Sequence, residues 1–370
     1  MSIGKEFEFI IQWHLTERCN LRCSHCYQEG SRSGELSLDE VRSGLDEVHD
    51  LFSAWSKSQD LTFAPSFNIT GGEPLLRNDL FDILGDIADR GWDTYVLTNG
   101  TLVDAAIALR FAGLGVKGVQ VSLEGPEEIH DTLRGAGSYQ ASLSGIGALL
   151  REGLPVTVNT TLSEVNAEGF FELAETAERL GVQRLGFSRL VPSGRGGALA
   201  GRMLSPDKVQ ALYQRILALS YTGMKLVTGD PVCSSMRAGD DSPEDQGDIP
   251  VGGCSAGVSG LTFLSDGTIV PCRRLPVPLG NIRTDSIREV WVQSPVLDAL
   301  RDRSRYEGKC GACRKWATCR GCRAIAAAAS GRRDMPAVVA DDPQCPFAPE
   351  STGALRRSAK PGDTDTRSHI

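Results

Sequence analysis

An α/β fold is predicted by this sequence: a partial (β/α)6 barrel of the TIM type, followed by a small cysteine-rich domain. Two observations predict it. Six apolar, strand-like runs alternate with helix-like patterns through the first part of the chain, and seven of the eleven cysteines fall between Cys254 and Cys345. Strand–helix alternation argues for parallel βαβ units. In barrels of this type the chemistry sits at the C-terminal ends of the strands.

The strand-like runs cover residues 9–15, 67–70, 94–97, 119–123, 156–160 and 184–188. Helical patterns at 38–55, 80–90, 139–152, 170–180 and 206–219 follow or separate them. The pattern breaks near Tyr221, which places a barrel domain at 1–225 and a second domain with its preceding linker at 226–349. Residues 239–253 are acidic and rich in Gly and Pro, the composition of a surface loop. The cysteine-rich segment shows little long-range periodicity and is expected to fold around metal rather than around a large apolar core. The polar tail, 350–370, is expected to be disordered. No internal repeat is visible.

Composition narrows the function. The 370 residues are 41% hydrophobic and 23% charged, with a net charge of −8. A mildly acidic chain argues against a nucleic-acid partner, which would want a basic face. There is no apolar run long enough for a transmembrane helix and no signal-peptide layout at the start, so a cytoplasmic protein is expected. Clustered cysteines in a reducing compartment point to metal rather than disulfides.

The first cysteine group is Cys19-x3-Cys23-x2-Cys26, directly after the first strand and followed by Tyr27. Three thiolates in this space can hold one iron–sulfur cube and leave one of its four irons open. A zinc site is the other reading, but it normally closes with four ligands. After the second strand comes Thr70-Gly71-Gly72-Glu73-Pro74, in which glycines allow close backbone approach and a carboxylate can pair with an ammonium. The triad, its aromatic follower and this turn resemble the radical S-adenosylmethionine (SAM) superfamily.

The resemblance implies a SAM-binding [4Fe–4S] cluster on Cys19, Cys23 and Cys26, with the amino group of SAM held by the Gly71–Gly72–Glu73–Pro74 turn. It also implies that Ser122, at the end of the fourth strand, and Arg134 hold the SAM ribose and carboxylate. Thr70 and the backbone around Leu190 are further carry-overs. Glu124 stands where Asp is commoner in the family. Thr98-Asn99-Gly100 is read as a plain turn. In this family the reduced cluster cleaves SAM to a 5′-deoxyadenosyl radical, which abstracts hydrogen from a substrate; an electron donor such as flavodoxin or ferredoxin is then required. No catalytic residue beyond the cofactor ligands is assigned.

The second group comprises Cys254, Cys272, Cys310-x2-Cys313-x5-Cys319-x2-Cys322 and Cys345. Paired C-x2-C units also suit a zinc ribbon. The layout resembles the SPASM domain, which implies two auxiliary [4Fe–4S] clusters: an outer one on Cys310, Cys313, Cys319 and Cys345, and an inner one on Cys254, Cys272 and Cys322. The final C-x2-C is one residue shorter than the usual C-x3-C. Cys233 is either a fourth inner ligand or a small buried thiol, and the latter is the expectation.

For the substrate, the resemblance favours a ribosomally made peptide that receives a crosslink or thioether. With about eight residues before the first strand, leader recognition is expected to fall to the barrel rim, the auxiliary domain or a separate leader-binding protein. Alternatives are a tetrapyrrole of the haem d1 type, since the segment 190–196 resembles both groups, and a sulfatase maturase. The last is disfavoured because Arg273-Arg274, not Asp, follows Cys272. An iron–sulfur electron carrier is the non-enzymatic alternative. Arg195, Arg202, Arg273 and Arg274 are candidate partners for carboxylates.

Overall fold

In a computed structural model of the chain, residues 6–28, 34–59, 62–238, 247–331 and 335–347 are described. Ten strands form one sheet: β1 (Glu6–His14), β2 (Thr62–Thr70), β3 (Asp93–Thr98), β4 (Gly118–Ser122), β5 (Val156–Leu162), β6 (Arg184–Arg189), β7 (Lys225–Val227), β8 (Gly260–Phe263), β9 (Thr268–Val270) and β10 (Gly280–Asn281). Their order is β10-β9-β8-β1-β2-β3-β4-β5-β6-β7. The strands from β1 to β7 run parallel, β8 lies parallel beside β1, and β9 and β10 fold back antiparallel. Among the described residues no ladder joins β10 to β7, so the sheet is an unclosed partial barrel.

Side chains alternate across these strands with the two-residue period of a pleated sheet. Ile11, Trp13, Phe67, Ile69, Val119, Val121, Val156 and Val158 are buried against the surrounding helices. Between them stand Gln12, Asn68, Gln120 and Asn159, which line a polar chamber of about 1100 Å³ inside the barrel. These polar residues, beside apolar Ile10, Phe187 and Leu261, make this lumen a place for a ligand or water rather than a packed hydrocarbon core.

Several elements differ from the sequence expectation. β2 begins at Thr62, and helices occupy Ala105–Gly113 and Glu127–Arg134. Both helices are short, and the first, AAIALRFAG, is nearly uniform in polarity and so offers little periodicity. β7 and β8 have three and four residues, too few for a pattern. Because β8 sits beside β1, the barrel sheet continues into residues C-terminal to 225. The cysteine-rich segment also has apolar packing of its own: Leu297, Leu300, Trp316, Ile325 and Val338 are buried in the common core. The expected tail at 350–370 and the 239–246 part of the expected loop lie outside the described residues.

Candidate functional site

The loop from Glu17 to Gln28 leaves the C-terminal end of β1 and is gripped from three sides. On the first, Gly72 N donates to Thr16 O (2.7 Å) and Glu73 N to Arg18 O (2.8 Å). A Cβ on Gly71 would stand 2.5 Å from Thr16 O, and one on Gly72 2.3 Å from Arg18 O. The two glycines are therefore required by the close approach of the cysteine loop itself, whereas the sequence reading attributed them to a ligand. On the second side, Ser24 N donates to Leu133 O (2.8 Å). On the third, Gly196 N donates to Cys26 O (2.9 Å) and Arg195 Nε to Cys23 O (3.0 Å).

Held this way, Cys19, Cys23 and Cys26 line one cavity of about 960 Å³ together with Thr70, Gly71, Gly72, Ser122 and Arg134. The thiols feel one another's charge, and burial pushes those of Cys19 and Cys23 up; Arg134 opposes the shift at Cys23. Arg134 Nη1 lies 3.8 Å from Cys23 Sγ. Its other nitrogens hold Glu124 Oε1 at 2.5 and 3.0 Å. Burial alone would raise the Glu124 carboxyl, yet the Arg134 charge and the neighbouring His25, 3.2 Å away, keep it well below the usual carboxylate range. Glu124 also accepts from Thr161 N (2.8 Å), tying β4 to β5. Arg134 is thus a half-buried, anchored cation at the cavity wall.

Three expected site residues are placed differently. Glu73 is fully buried, and its carboxylate accepts from Thr98 Oγ1 (2.7 Å), Asn99 N (2.8 Å) and Leu75 N (3.3 Å). Burial raises its pKa against these donors. It fixes the turn rather than standing open to an ammonium. Pro74 is buried at the start of a short 3-10 helix, Pro74–Leu76. Leu190 is buried with its N–H given to Leu162 O (2.9 Å), and its neighbours Arg189 and Val191 line the cavity instead.

The sequence reading missed the turn at Thr98–Asn99, which holds Glu73 and, through Asn99 Nδ2, Asn20 Oδ1 of the cysteine loop (2.8 Å). It also missed Gln120, Asn159 and Ser188, which line the same cavity. The available signal was the polar residue at alternate strand positions: Gln120 and Ser122, then Asn159 and Thr161.

In the second group, Cys319 is within electrostatic reach of Cys345, Cys310 and Cys313. Cys322 is within reach of Cys254, and Arg274 of both Cys322 and Cys272. These contacts link Cys319 with Cys310, Cys313 and Cys345, and Cys322 with Cys254, while Cys272 joins Cys322 only through the charge of Arg274. Burial pushes Cys322 up to about 12 and Cys345 to about 11. Cys233 lies apart, buried in the core beside Asp230, with its thiol pushed up to about 12 by burial and that carboxylate. All these cysteines are free, and among the described residues no three His, Cys, Asp or Glu side chains close on a single-ion position. Neighbouring free thiols suit iron–sulfur ligation better than a closed single-ion site. Arg189 connects the two halves: it bonds Asp230 (2.7 Å) and Asp342 (2.8 Å), and Asp342 accepts from Cys322 N (2.8 Å).

Residues 13–177 match the model of the radical SAM superfamily, and residues 254–323 match the iron–sulfur cluster-binding SPASM domain. The chain is 33% identical over 360 residues to an AdoMet-dependent heme synthase of Methanosarcina barkeri, covering 92% of this chain and 97% of that protein. The chain belongs to the radical SAM superfamily. It is a radical SAM enzyme that binds SAM and a [4Fe–4S] cluster, and its SPASM domain binds auxiliary iron–sulfur clusters. A further relative is the mycofactocin maturase MftC of Mycobacterium ulcerans, 28% identical over 86% of this chain and 83% of that one. Among solved structures, SuiB of Streptococcus suis bound to S-adenosylmethionine has a TM-score of 0.65 at 17% identity, covering 86% of this chain and 73% of that one. This last likeness shows the shared fold. Among the described residues no helix is long and apolar enough to cross a membrane.

Proposed function

We propose that this radical SAM enzyme modifies an iron tetrapyrrole bearing peripheral carboxylates, in the manner of the AdoMet-dependent haem synthases it resembles. The observation that carries this reading is a pair of cations in the cavity. Arg273 and Arg274 line both the SAM-side cavity and the polar lumen beneath it. Arg274 donates to Arg189 O (3.4 Å) and Arg273 sits over the Tyr27 ring (5.8 Å), and neither closes an ion pair with a carboxylate among the described residues. Both are half-buried at the cavity wall, where a cation without a paired carboxylate can take an anionic ligand. Arginine forks suit carboxylates, and haem-type tetrapyrroles carry carboxylates on their rim. These are the positions that disfavour formylglycine formation.

In this reading Cys19, Cys23 and Cys26 hold the SAM-binding cluster, and two auxiliary clusters occupy the two SPASM thiol sets. Bound together, SAM and a reduced cluster supply a 5′-deoxyadenosyl radical. The protein's part is to orient SAM with Arg134, Ser122 and the backbone at Gly71–Gly72, to exclude water, and to aim a substrate side chain. An external one-electron donor of the flavodoxin or ferredoxin type would charge the cluster. Tetrapyrrole modification thereby takes first place over peptide maturation, which the similarity to the mycofactocin maturase keeps as the second reading.

The test is anaerobic turnover with SAM, reductant and either an iron tetrapyrrole or a candidate precursor peptide. The tetrapyrrole should be consumed, and Arg273→Gln with Arg274→Gln should raise its KM. Turnover of peptides with the tetrapyrrole ignored would transfer the assignment to the second reading.

A further inference from the structure

Two arginines, Arg320 and Arg323, lie inside the SPASM domain at 2% and 0% exposure. Each is fastened by backbone carbonyls. Arg323 Nη1 donates to Ala340 O (2.7 Å) and Val338 O (3.3 Å), and Arg320 reaches Ala317 O (3.3 Å) and Cys254 O. Neither forms an ion pair with a carboxylate among the described residues. The nearby Asp342 is already engaged by Arg189, Cys322 N and Gln344 N. The Nε atoms of both arginines are buried without a hydrogen-bond partner.

Their position is between the two thiol sets. Arg323 Nη2 lies 3.6 Å from Cys310 Sγ, and its charge also acts on Cys254. Arg320 acts on Cys254 and Cys319, and the two guanidiniums repel each other. The backbone pays as well: among the described residues Arg320 is the one non-glycine with positive φ (63°), a conformation that L-residues disfavour. Two mutually repelling buried cations with open donors and no paired carboxylate are poorly compensated: the Asp342 charge reaches Arg323 without closing a pair, and the Trp316 and Tyr306 rings lie 5.7 and 5.0 Å from Arg320 and Arg323. Clusters bound by thiolates are anionic and would compensate both.

We propose that Arg320 and Arg323 are a shared counter-charge for the two auxiliary cluster sites, and that they raise the reduction potentials of the clusters held there. The inference rests on the reading that the two thiol sets hold clusters. Positive charge and N–H···S bonds favour the reduced, more negative state of a cluster. The effect of Arg323 is largest on the set containing Cys310, the thiol it touches.

The test is a redox titration followed by paramagnetic resonance on the full, anaerobically reconstituted chain. A Cys19→Ala, Cys23→Ala, Cys26→Ala background isolates the auxiliary signals. In that background Arg323→Met should lower the midpoint so that the reduced-to-oxidised ratio at the parent midpoint falls at least tenfold, about 59 mV for one electron. Arg323→Lys should keep most of the potential. Arg320→Gly, which suits the positive φ, should lower the midpoint with iron retained. Should Arg323→Met fail to hold iron, Arg320→Gly decides: an unchanged midpoint with full iron overturns the proposal. A parent chain holding no auxiliary iron would instead overturn the cluster reading beneath it.

Discussion

Replacing Arg189 by Met removes the centre of a buried triad. Its guanidinium is fully buried, makes bonds of 2.7 and 3.2 Å to Asp230, and of 2.8 and 3.1 Å to Asp342. Asp342 keeps two backbone donors, Cys322 N and Gln344 N, and Asp230 keeps Val232 N (2.9 Å) and, more distantly, Cys233 N (3.4 Å). Two carboxylates would then face each other in a nearly dry site. Breaking a buried pair by removing one partner costs about 3–5 kcal/mol. The loss should show as a lower anaerobic urea midpoint for the reconstituted enzyme. The deficit should shrink as pH falls, because an orphaned carboxyl escapes its penalty by taking up a proton. Combining Arg189→Met with Asp230→Asn and Asp342→Asn should recover much of the loss, since no uncompensated charge remains. If Arg189→Met unfolds within about 1 kcal/mol of the parent at neutral pH, a threshold far below that range, the triad does not hold the barrel to the SPASM segment and the reasoning fails.

Gly72→Ala would drive a Cβ into Arg18 O; overpacking of this kind costs about 1–3 kcal/mol. It should lower iron at the Cys19–Cys23–Cys26 site while auxiliary iron persists, as read by iron analysis and paramagnetic resonance. Thr98→Val removes a donor to the buried Glu73 carboxylate, a bond of about 1.5–3 kcal/mol, and should weaken SAM binding in equilibrium dialysis without changing iron content. Glu40 on the helix Leu38–Gln59 is paired with Arg283 beyond β10 (2.6 Å), and that hydrogen bond holds its carboxyl down to about 2. Glu40→Gln should cost about 0.2–1 kcal/mol at neutral pH. Because the folded pKa is depressed, the pair contributes fully above the ordinary glutamate value of about 4.3. Its contribution fades as pH falls toward 2, where parent and variant melting curves should converge.

Much of the site was legible because its signals are local. Cys19, Cys23 and Cys26 are close in sequence, and Thr70 to Glu73 sit at a strand end. What the residues do within those motifs was less legible, because it depends on contacts between distant segments. Glu73 is claimed by Thr98 and Asn99, about 25 residues away. Gly71 and Gly72 answer to the backbone of Thr16 and Arg18. The place of β8 beside β1 joins segments about 250 residues apart, a pairing that no short-range pattern encodes. The polar lumen was visible in principle as Gln12, Asn68, Gln120 and Asn159 interrupting apolar strands, but its meaning depends on knowing which face of each strand turns inward. Arg320 and Arg323 acquire significance only once both are seen to be buried beside Cys254, Cys310 and Cys319.

The central claim is that hydrogen is taken from a tetrapyrrole side chain by a SAM-derived radical. It is tested most directly by isotope transfer. The reconstituted enzyme is supplied with SAM, reductant and an iron tetrapyrrole deuterated on its peripheral side chains, and the 5′-deoxyadenosine is weighed by mass spectrometry. The account predicts deuterium in 5′-deoxyadenosine, in proportion to the tetrapyrrole consumed, and none in the Cys19→Ala, Cys23→Ala, Cys26→Ala variant. Unlabelled 5′-deoxyadenosine formed at the same rate with and without the tetrapyrrole, while a labelled peptide transfers its deuterium, would contradict it.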